Sequence, residues 1–542
     1  MANLAAAADL ENPEPGKKFS ISGKVEVETA ELVKAKSSKG GGAVPSGGVT
    51  MNHIWYGHTI GTLNLLSNPV ECFTVRSSFE FRQYMTMYPN IQDLDQAYLR
   101  DGFFGQTYWN GFYIREFQGI YSFLKSQTMA LELALGYMPY KYNPEVRDMG
   151  EFLFRSGTYP LFLINEFNRP FARLTGLRLG FTYTGGAVEA HFDALAQLER
   201  EIRPFNDVSL GAVAGVNLLK MVEIGGGVDF AHCIPLDSRL TTKENTDPTT
   251  FPFMDEDRYL TYNSDSTVVD TGYYTFSGTK LMARATIDLT ELCGGVVSLF
   301  SDNDRASIVN EMRKVTGESG GKIYGEYAVI GLKNYPVSAN PSYNPLGYKK
   351  VAERSPYVVG FNAPTHPFMT YGLYPELAVI LFEKSSLHRF LLGDIIESKL
   401  SHHLVFGLIP AVITFGGWQL DKQLGLNMNW NKLIGLDEIS FELERWPSYY
   451  PDSYFNTIIL GGPIPAARNF NSVYDSTVYT PRWLWSLYLK KRMSEHIAVV
   501  CQMGRNHQRW EFHPAAGTFF DADAAFVRRD EWGWHLSAVF SF

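Results

Sequence analysis

The sequence predicts an all-β chain, folded as a single antiparallel up-and-down β-barrel that crosses a membrane. Three observations carry this expectation. Aromatic residues make up 14% of the 542 positions and charged residues only 19%, against roughly 25% charged in soluble domains. Hydrophobic residues recur with period two in many separate segments, the mark of strands with two chemically different faces. The connections between those segments come in two sizes, tight turns and long polar stretches.

Helical spans are a poor alternative. Mean hydropathy is −0.14, whereas a bundle of membrane helices requires repeated apolar runs of about 20 residues. Positions 400–420 lack Asp, Glu, Lys and Arg but include Pro410, Gly416 and Gly417, and they read as barrel strands with a turn. The net charge of −9, without a cluster of Lys and Arg, argues against a nucleic-acid partner, because neutralising phosphates requires such clusters.

Taken in order, residues 1–17 read as a flexible N-terminal segment and 18–542 as the barrel. The first strand is the clearest: Phe19, Ile21, Val25 and Val27 alternate with Ser20, Ser22, Lys24, Glu26 and Glu28. Next, Phe73, Val75, Phe79 and Phe81 alternate with Thr74, Arg76, Ser78, Glu80 and Arg82. Lys24, Glu26, Glu28, Arg76, Glu80 and Arg82 are therefore expected to face a polar lumen, since a barrel in lipid alternates apolar outside with polar inside. Leu177–Tyr183 and Val188–Asp193 form a hairpin about Gly185-Gly186, a glycine pair suited to a tight turn. Similar runs lie near 129–137, 208–218, 222–230, 273–289, 322–333, 376–383, 424–430, 439–446, 482–490, 497–503 and 532–542. The expected total is roughly 14 to 18 strands, an even number if both ends lie on one side. Gly185-Gly186 and Lys220-Met221 mark tight turns, and 29–70, 231–268 and 447–480 mark long connections. The aromatic, irregular stretch 84–127 is the candidate plug or constriction. Trp430, Trp446, Trp483 and Trp485 suit the interfacial girdles at the strand ends.

The last segment carries the most specific pattern. Trp532, Trp534, Leu536, Ala538, Phe540 and Phe542 alternate with Gly533, His535, Ser537, Val539 and Ser541, and the chain stops on Phe542. This resembles the C-terminal assembly signal of Gram-negative outer-membrane β-barrels, with the apolar positions facing lipid. The resemblance implies an outer-membrane location, short periplasmic turns, long outer loops and recognition by the barrel-assembly machinery. It transfers no functional residue beyond the terminal signal. The first residues, Met1 to Asp9, have neither the basic start nor the apolar core of an export signal, so the barrel reading implies that such a signal has been removed.

Catalytic chemistry is not expected. Gly317-Glu318-Ser319-Gly320-Gly321 matches Gly-x-Ser-x-Gly, but a nucleophile elbow requires a helix after it and here a strand follows. Asp229, His232, His402 and His403 read as ordinary lumen or girdle residues. The acidic groups at 255–257 and 302–304 lack the spacing of a calcium loop, so no metal and no cofactor is expected. Cys72, Cys233, Cys293 and Cys501 show no metal-ligand spacing and read mainly as small apolar residues, with one long-range disulfide as the alternative.

The leading functional expectation is a porin-like channel for passive diffusion of small hydrophilic solutes, without enzymatic activity. The alternative is a barrel that anchors envelope or surface partners through its loops, and a barrel enzyme acting on lipid or peptide ranks third. The expected partners are outer-membrane lipid, envelope proteins or further copies of the chain.

Overall fold

The computed structural model describes residues 18–34, 54–87, 108–147, 149, 150, 152, 153, 172–198, 208–234, 259–262, 268–273, 278–299, 305–316, 321–329, 337, 338, 355–363, 436–446, 482–505 and 532–542. The first nine strands are β1 (Phe19–Lys34), β2 (Ile54–Val70), β3 (Phe73–Met87), β4 (Tyr108–Lys125), β5 (Met129–Tyr140), β6 (Ala172–Gly185), β7 (Val188–Leu198), β8 (Val208–Leu218) and β9 (Val222–Ile234). The short β10 (Tyr259–Tyr262) and β11 (Val268–Tyr273) precede β12 (Gly278–Asp288), and two helices follow, α1 (Leu289–Ser298) and α2 (Arg305–Thr316). The chain ends with β13 (Lys322–Val329), the short β14 (Val337–Ser338), β15 (Tyr357–Ala363), β16 (Glu438–Trp446), β17 (Arg482–Arg492), β18 (Ile497–Arg505) and β19 (Trp532–Ser541).

Sixteen strands form one closed barrel in up-and-down order, and β10, β11 and β14 make a separate small sheet. Every neighbouring pair in the wall is antiparallel, including the seam where β1 meets β19 from Lys24↔Ser541 to Lys34↔Trp532. Closure leaves no edge strand, so the ladders pair wall amides and carbonyls from strand to strand, interrupted at bulges, as hydrocarbon demands.

The alternation is plainest on β12. Leu281, Ala283, Ala285 and Ile287 are exposed on the outer face, while Lys280, Met282, Arg284, Thr286 and Asp288 are buried on the inner one. Phe19, Val25, Leu63, Phe81, Phe117, Leu135, Phe192, Ile224 and Phe361 likewise stand exposed. So large an apolar exterior on a closed barrel is the surface of a membrane-spanning one.

At one end, which we call the turn end, neighbouring strands are joined by 71–72, 126–128, 186–187, 219–221 and 493–496. The same end carries α1 and α2, between β12 and β13, and the connection 364–437. The opposite loop end carries links such as 35–53, 88–107, 141–171 and 447–481. Between β8 and β9 Met221 N–H donates to the Leu218 carbonyl at 2.9 Å, and Leu219 and Lys220 have φ of 55° and 60°. Positive φ at both central residues is the type I′ pattern that matches strand twist, achieved here without the usual Gly or Asn.

Several stretches depart from the sequence reading; 231–234 and 259–262, expected within a long connection, belong to β9 and β10. Residues 29–34 and 54–70, expected within a long connection, belong to β1 and β2. The period of β2 is blurred because Ile60 and Leu66, on its inward face, are themselves apolar and fully buried. Within 84–127, residues 84–87 complete β3 and 108–125 form β4, both wall strands, while 88–107 lie outside the described residues. A bulge explains the irregular look of β4: Ser78 pairs with Glu116 but Phe79 with Ile114, so Arg115 is an extra residue and the alternation slips by one. The runs expected at 376–383 and 424–430, and Trp430, also lie outside the described residues, as do 1–17.

At the C-terminus, Leu536, Phe540 and Phe542 are exposed on the outer face. Phe542 exchanges main-chain hydrogen bonds with Gly23, each 2.9 Å, and its ring covers that glycine, where a Cβ would lie 2.5 Å from Phe542 Cζ. Trp534 keeps the outward phase of Leu536, paired with Glu31, but is covered there rather than exposed. It is 3% exposed, its Nε1 donates to Glu31 Oε2 at 2.9 Å, and it clusters with Val33, Ile439, Leu489 and Met503; an indole N–H that leaves water takes a polar partner. The side chain of Trp532 is not described.

Candidate functional site

The residues expected on the lumen lie opposite the exposed apolar positions of their strands. Glu28, Arg76 and Glu80 are buried inside the wall, while Lys24 and Glu26 are partly exposed there, with Lys24 Nζ 3.9 Å from Glu26 Oε2. Glu80 is fully buried and meets the guanidinium of Arg115, the extra residue of the β4 bulge, at 3.2 Å. His535 Nε2 stands 3.3 Å from Glu28 Oε1. Arg82 lies in β3, but its side chain is outside the described residues. These groups line one sector of the wall and do not converge on a common point.

Charge of both signs continues round the interior. Lys280 Nζ is 3.0 Å from Asp229 Oδ2, whose other oxygen accepts from Gln197 at 2.8 Å. Arg178 lies 3.7 Å from Asp193 and 4.0 Å from Glu132, and Arg284 is paired with Glu223. Asp229, read from the sequence as an ordinary lumen or girdle residue, is engaged in a buried ion pair. The side chain of His232, with His402, His403 and 317–320, lies outside the described residues.

What draws interior groups together is a segment the sequence reading passed over, 141–153, which follows β5. Tyr140 ends β5 by donating its hydroxyl to Asp193 Oδ2 at 2.8 Å. A turn follows at once: Asn143 Oδ1 accepts from Glu145 N–H at 3.1 Å across Pro144, and Lys141 Nζ reaches the Val146 carbonyl at 2.6 Å. Asn before Pro favours such a turn, because the short amide mimics a backbone acceptor while proline fixes φ.

From there the segment runs down the lumen and back. Tyr142 lies near Gly227 and beneath the Arg284 guanidinium, 5.4 Å from its ring centroid. Glu145 reaches the turn end, where Lys322 Nζ contacts its Oε1 at 2.6 Å and Asn362 Nδ2 donates to its carbonyl at 2.7 Å. Arg147 clasps Glu438 Oε1 through Nε at 2.7 Å and Nη2 at 2.5 Å. Glu442 then holds two main-chain amides, Arg147 N–H on Oε1 and Met149 N–H on Oε2, each at 2.6 Å, and also accepts from the Tyr324 hydroxyl. Glu444 Oε2 accepts from Gly150 N–H at 2.8 Å. Gly150 has φ of +77°, and a Cβ there would stand 2.6 Å from Glu326 Oε2. Only glycine suits that conformation and that closeness.

Three carboxylates at period two on β16 therefore serve as the acceptors for a piece of chain with no strand beside it. A buried amide without a partner costs about 1–3 kcal/mol, so the segment is held where Glu438, Glu442 and Glu444 stand. Burial pushes the Glu145 carboxyl up, but the Lys322 ammonium, Arg147 and Asn362 outweigh it and hold the carboxyl below its ordinary value. Burial lowers the affinity of Arg147 for its proton, and Glu438 more than restores it. Around the segment Met138, Tyr142, Met149, Phe152, Leu153, Leu195 and Val213 form a buried apolar cluster inside the barrel.

Below the segment, at the turn end, lies a polar chamber of about 280 Å³ lined by Glu145, Glu189, Glu223, Asp288, Arg313 and Lys322 among others. Among the described residues no three His, Cys, Asp or Glu side chains are grouped as metal ligands, and the four cysteines are free thiols. Of the aromatic belt, Trp483 stands exposed at the loop end of β17, edge-on to Tyr357 with centroids 6.0 Å apart, whereas Trp485 packs beside the Trp534 cluster.

No protein-family model matches the chain, and no curated protein sequence matches it. Among solved structures, it is similar to a triple mutant of the Rhodopseudomonas blastica porin, with 6% identity, TM-score 0.33, and 97% of this chain and 100% of that chain covered. It is also similar to Pseudomonas putida OprB at low pH, with 7% identity, TM-score 0.35, and 97% and 93% covered.

Proposed function

We propose that the protein is a constricted outer-membrane channel through which small hydrophilic solutes diffuse passively, with 141–153 narrowing the lumen. The observation that carries this reading is the polar interior at the turn end. A wall bearing the Arg284–Glu223 pair, with Lys322 paired to Glu145, meets a polar chamber beneath the inward segment. Charged groups of both signs on the inner face, against an apolar outer face, suit a water-filled path in a lipid-spanning barrel. The side chains on the chamber would sieve solutes by size and charge. No catalytic group is assigned.

A second reading is favoured by the apolar cluster about Phe152 and Leu153, buried inside the barrel. In it the segment closes the lumen, and the barrel is an anchor whose loops meet envelope partners or further copies of the chain. Conductance of the purified protein in planar bilayers separates the two. Stable ohmic steps whose ion selectivity changes in Glu223→Gln support the channel; insertion without steps in the protein, with steps appearing in a variant freed of the segment's anchors, supports the closed barrel.

A further inference from the structure

Helix α1 inverts the usual polarity of a surface helix. Its buried side consists of Thr290, Glu291, Gly294 and Gly295. Its exposed side presents Leu292, Cys293, Val296 and Val297, flanked by Leu289 and Leu299. A helix on a water-facing surface turns its apolar stripe inward and its charges outward. Here the charge is inside: Glu291 accepts from Arg305 at 2.7 Å and from Arg313 at 2.8 Å, both from α2.

The packing explains why the large apolar groups point away. A Cβ at Gly294 would meet Val309 of α2 at 2.3 Å, and one at Gly295 would meet the end of Met221, in the β8–β9 turn, at 2.1 Å. With small residues against its neighbours, the helix has nowhere but outward to put Leu and Val. Helix α2 is the opposite: Val309 is buried while Ala306, Ser307 and Asn310 are exposed. The two helices share a site on the chain, so their difference is specific to α1.

The exposed stripe is continuous with the lipid-facing wall. The outward positions of β12, Leu281, Ala283, Ala285 and Ile287, lead without a break in phase to Leu289, the first residue of α1. On the inner side, Asp288 accepts from Glu291 N–H at 3.0 Å and caps the helix. The bend from strand to helix thus keeps apolar groups on one side and polar groups on the other.

We propose that α1 is an interfacial helix, lying on the turn-end rim with Leu292, Cys293, Val296 and Val297 in the lipid of the adjoining leaflet. The occupant is lipid because the stripe extends a wall that lipid already covers, and because a helix with one apolar face lies in the headgroup and acyl boundary. It fixes the depth of the barrel on that side and shields the Glu291 pairs at the chamber from the membrane. The inference rests on the membrane-spanning reading of the barrel.

The test uses the full chain with Cys72→Ser, Cys233→Ser and Cys501→Ser, leaving Cys293 to carry an environment-sensitive fluorophore. The protein is reconstituted in vesicles of phosphatidylethanolamine and phosphatidylglycerol bearing a nitroxide near the head of the acyl chain, and iodide is the aqueous quencher. A second protein, lacking all four cysteines, carries the label on the wall through Ile224→Cys. The expected result is a blue-shifted Cys293 label quenched by the lipid nitroxide more than by iodide, with Val296→Asp and Val297→Asp together reversing that order. Three results would overturn the proposal: iodide quenching at Cys293 while Ile224→Cys is lipid-quenched, self-quenching that grows with the protein-to-lipid ratio and marks a second copy on this face, or no effect of the paired Asp variants. Iodide quenching at both positions would instead remove the membrane reading beneath it.

Discussion

The wall and the segment inside it satisfy their backbones in different ways. In β12 every described residue from Lys280 to Ile287 is laddered to β9, and most also to β13, so its hydrogen bonds depend on shape alone. In 141–153 the amides of Arg147, Met149 and Gly150 have no strand partner and rest on the carboxylates of Glu442 and Glu444. A ladder survives most side-chain changes, because its donors and acceptors are main chain. A segment held by side chains loses part of its hold when one of them is changed. The barrel therefore combines a robust shell with an insert whose position is chemically adjustable.

That contrast can be broken experimentally, and Gly150→Val is expected to act most strongly. It combines a left-handed φ with a close approach to Glu326 and Val358, a strain of order 1–3 kcal/mol in addition to the clash. The segment should leave its place while the shell persists, seen as larger or noisier conductance steps with unchanged heat-modifiable mobility on gels. Loss of the folded barrel would show that insert and shell are one unit.

Glu442→Gln is expected next, at about 2–3 kcal/mol, because one acceptor becomes a donor facing an amide already donating. Amide exchange at Arg147 and Met149 should accelerate while exchange in β12 does not. Uniform acceleration would place Glu442 in the stability of the whole barrel.

Acid should do the same more gently. The Glu145 carboxyl is held below its ordinary value, so its contribution is complete above an unfolded-state pKa of about 4.3 and is lost as pH falls through its lower folded value. Exchange in 141–147 should rise below about pH 4 in the wild type, and Lys322→Met should flatten that dependence.

The smallest expected change is a gain on the shell side. Lys220→Gly relieves one non-glycine residue from a left-handed φ of 60°, which is worth about 1 kcal/mol. It should raise the unfolding midpoint and leave conductance untouched. A change in conductance would couple this turn to the lumen.

The parts legible in sequence are those whose signal is local. β1 and β3 show their two faces as alternation, β8 and β12 do so apart from Val213 and Met282 on the inner face, and Gly185-Gly186 shows its turn. β2 was hidden by Ile60 and Leu66 on its inner face, and β4 by the bulge at Arg115, each of which disturbs the period that reveals a strand. For the inward segment, two signals were present: the Asn143-Pro144-Glu145 turn, and Glu438, Glu442 and Glu444 on one face of β16 without interleaved cations. Neither points to the other, because about 295 residues separate the amides from their acceptors.

The sequence by itself determined that this chain would be a barrel with an apolar outside and a charged inside, since a side-chain period of two needs only the pleat of each strand to take effect. It determined too that charges of both signs would line the interior. The tertiary structure decided which segment enters the lumen, which carboxylates hold it, and which way α1 turns its leucines and valines. Those outcomes depend on where sixteen strands close and on which residues closure brings within hydrogen-bond distance, and no local pattern contains that information.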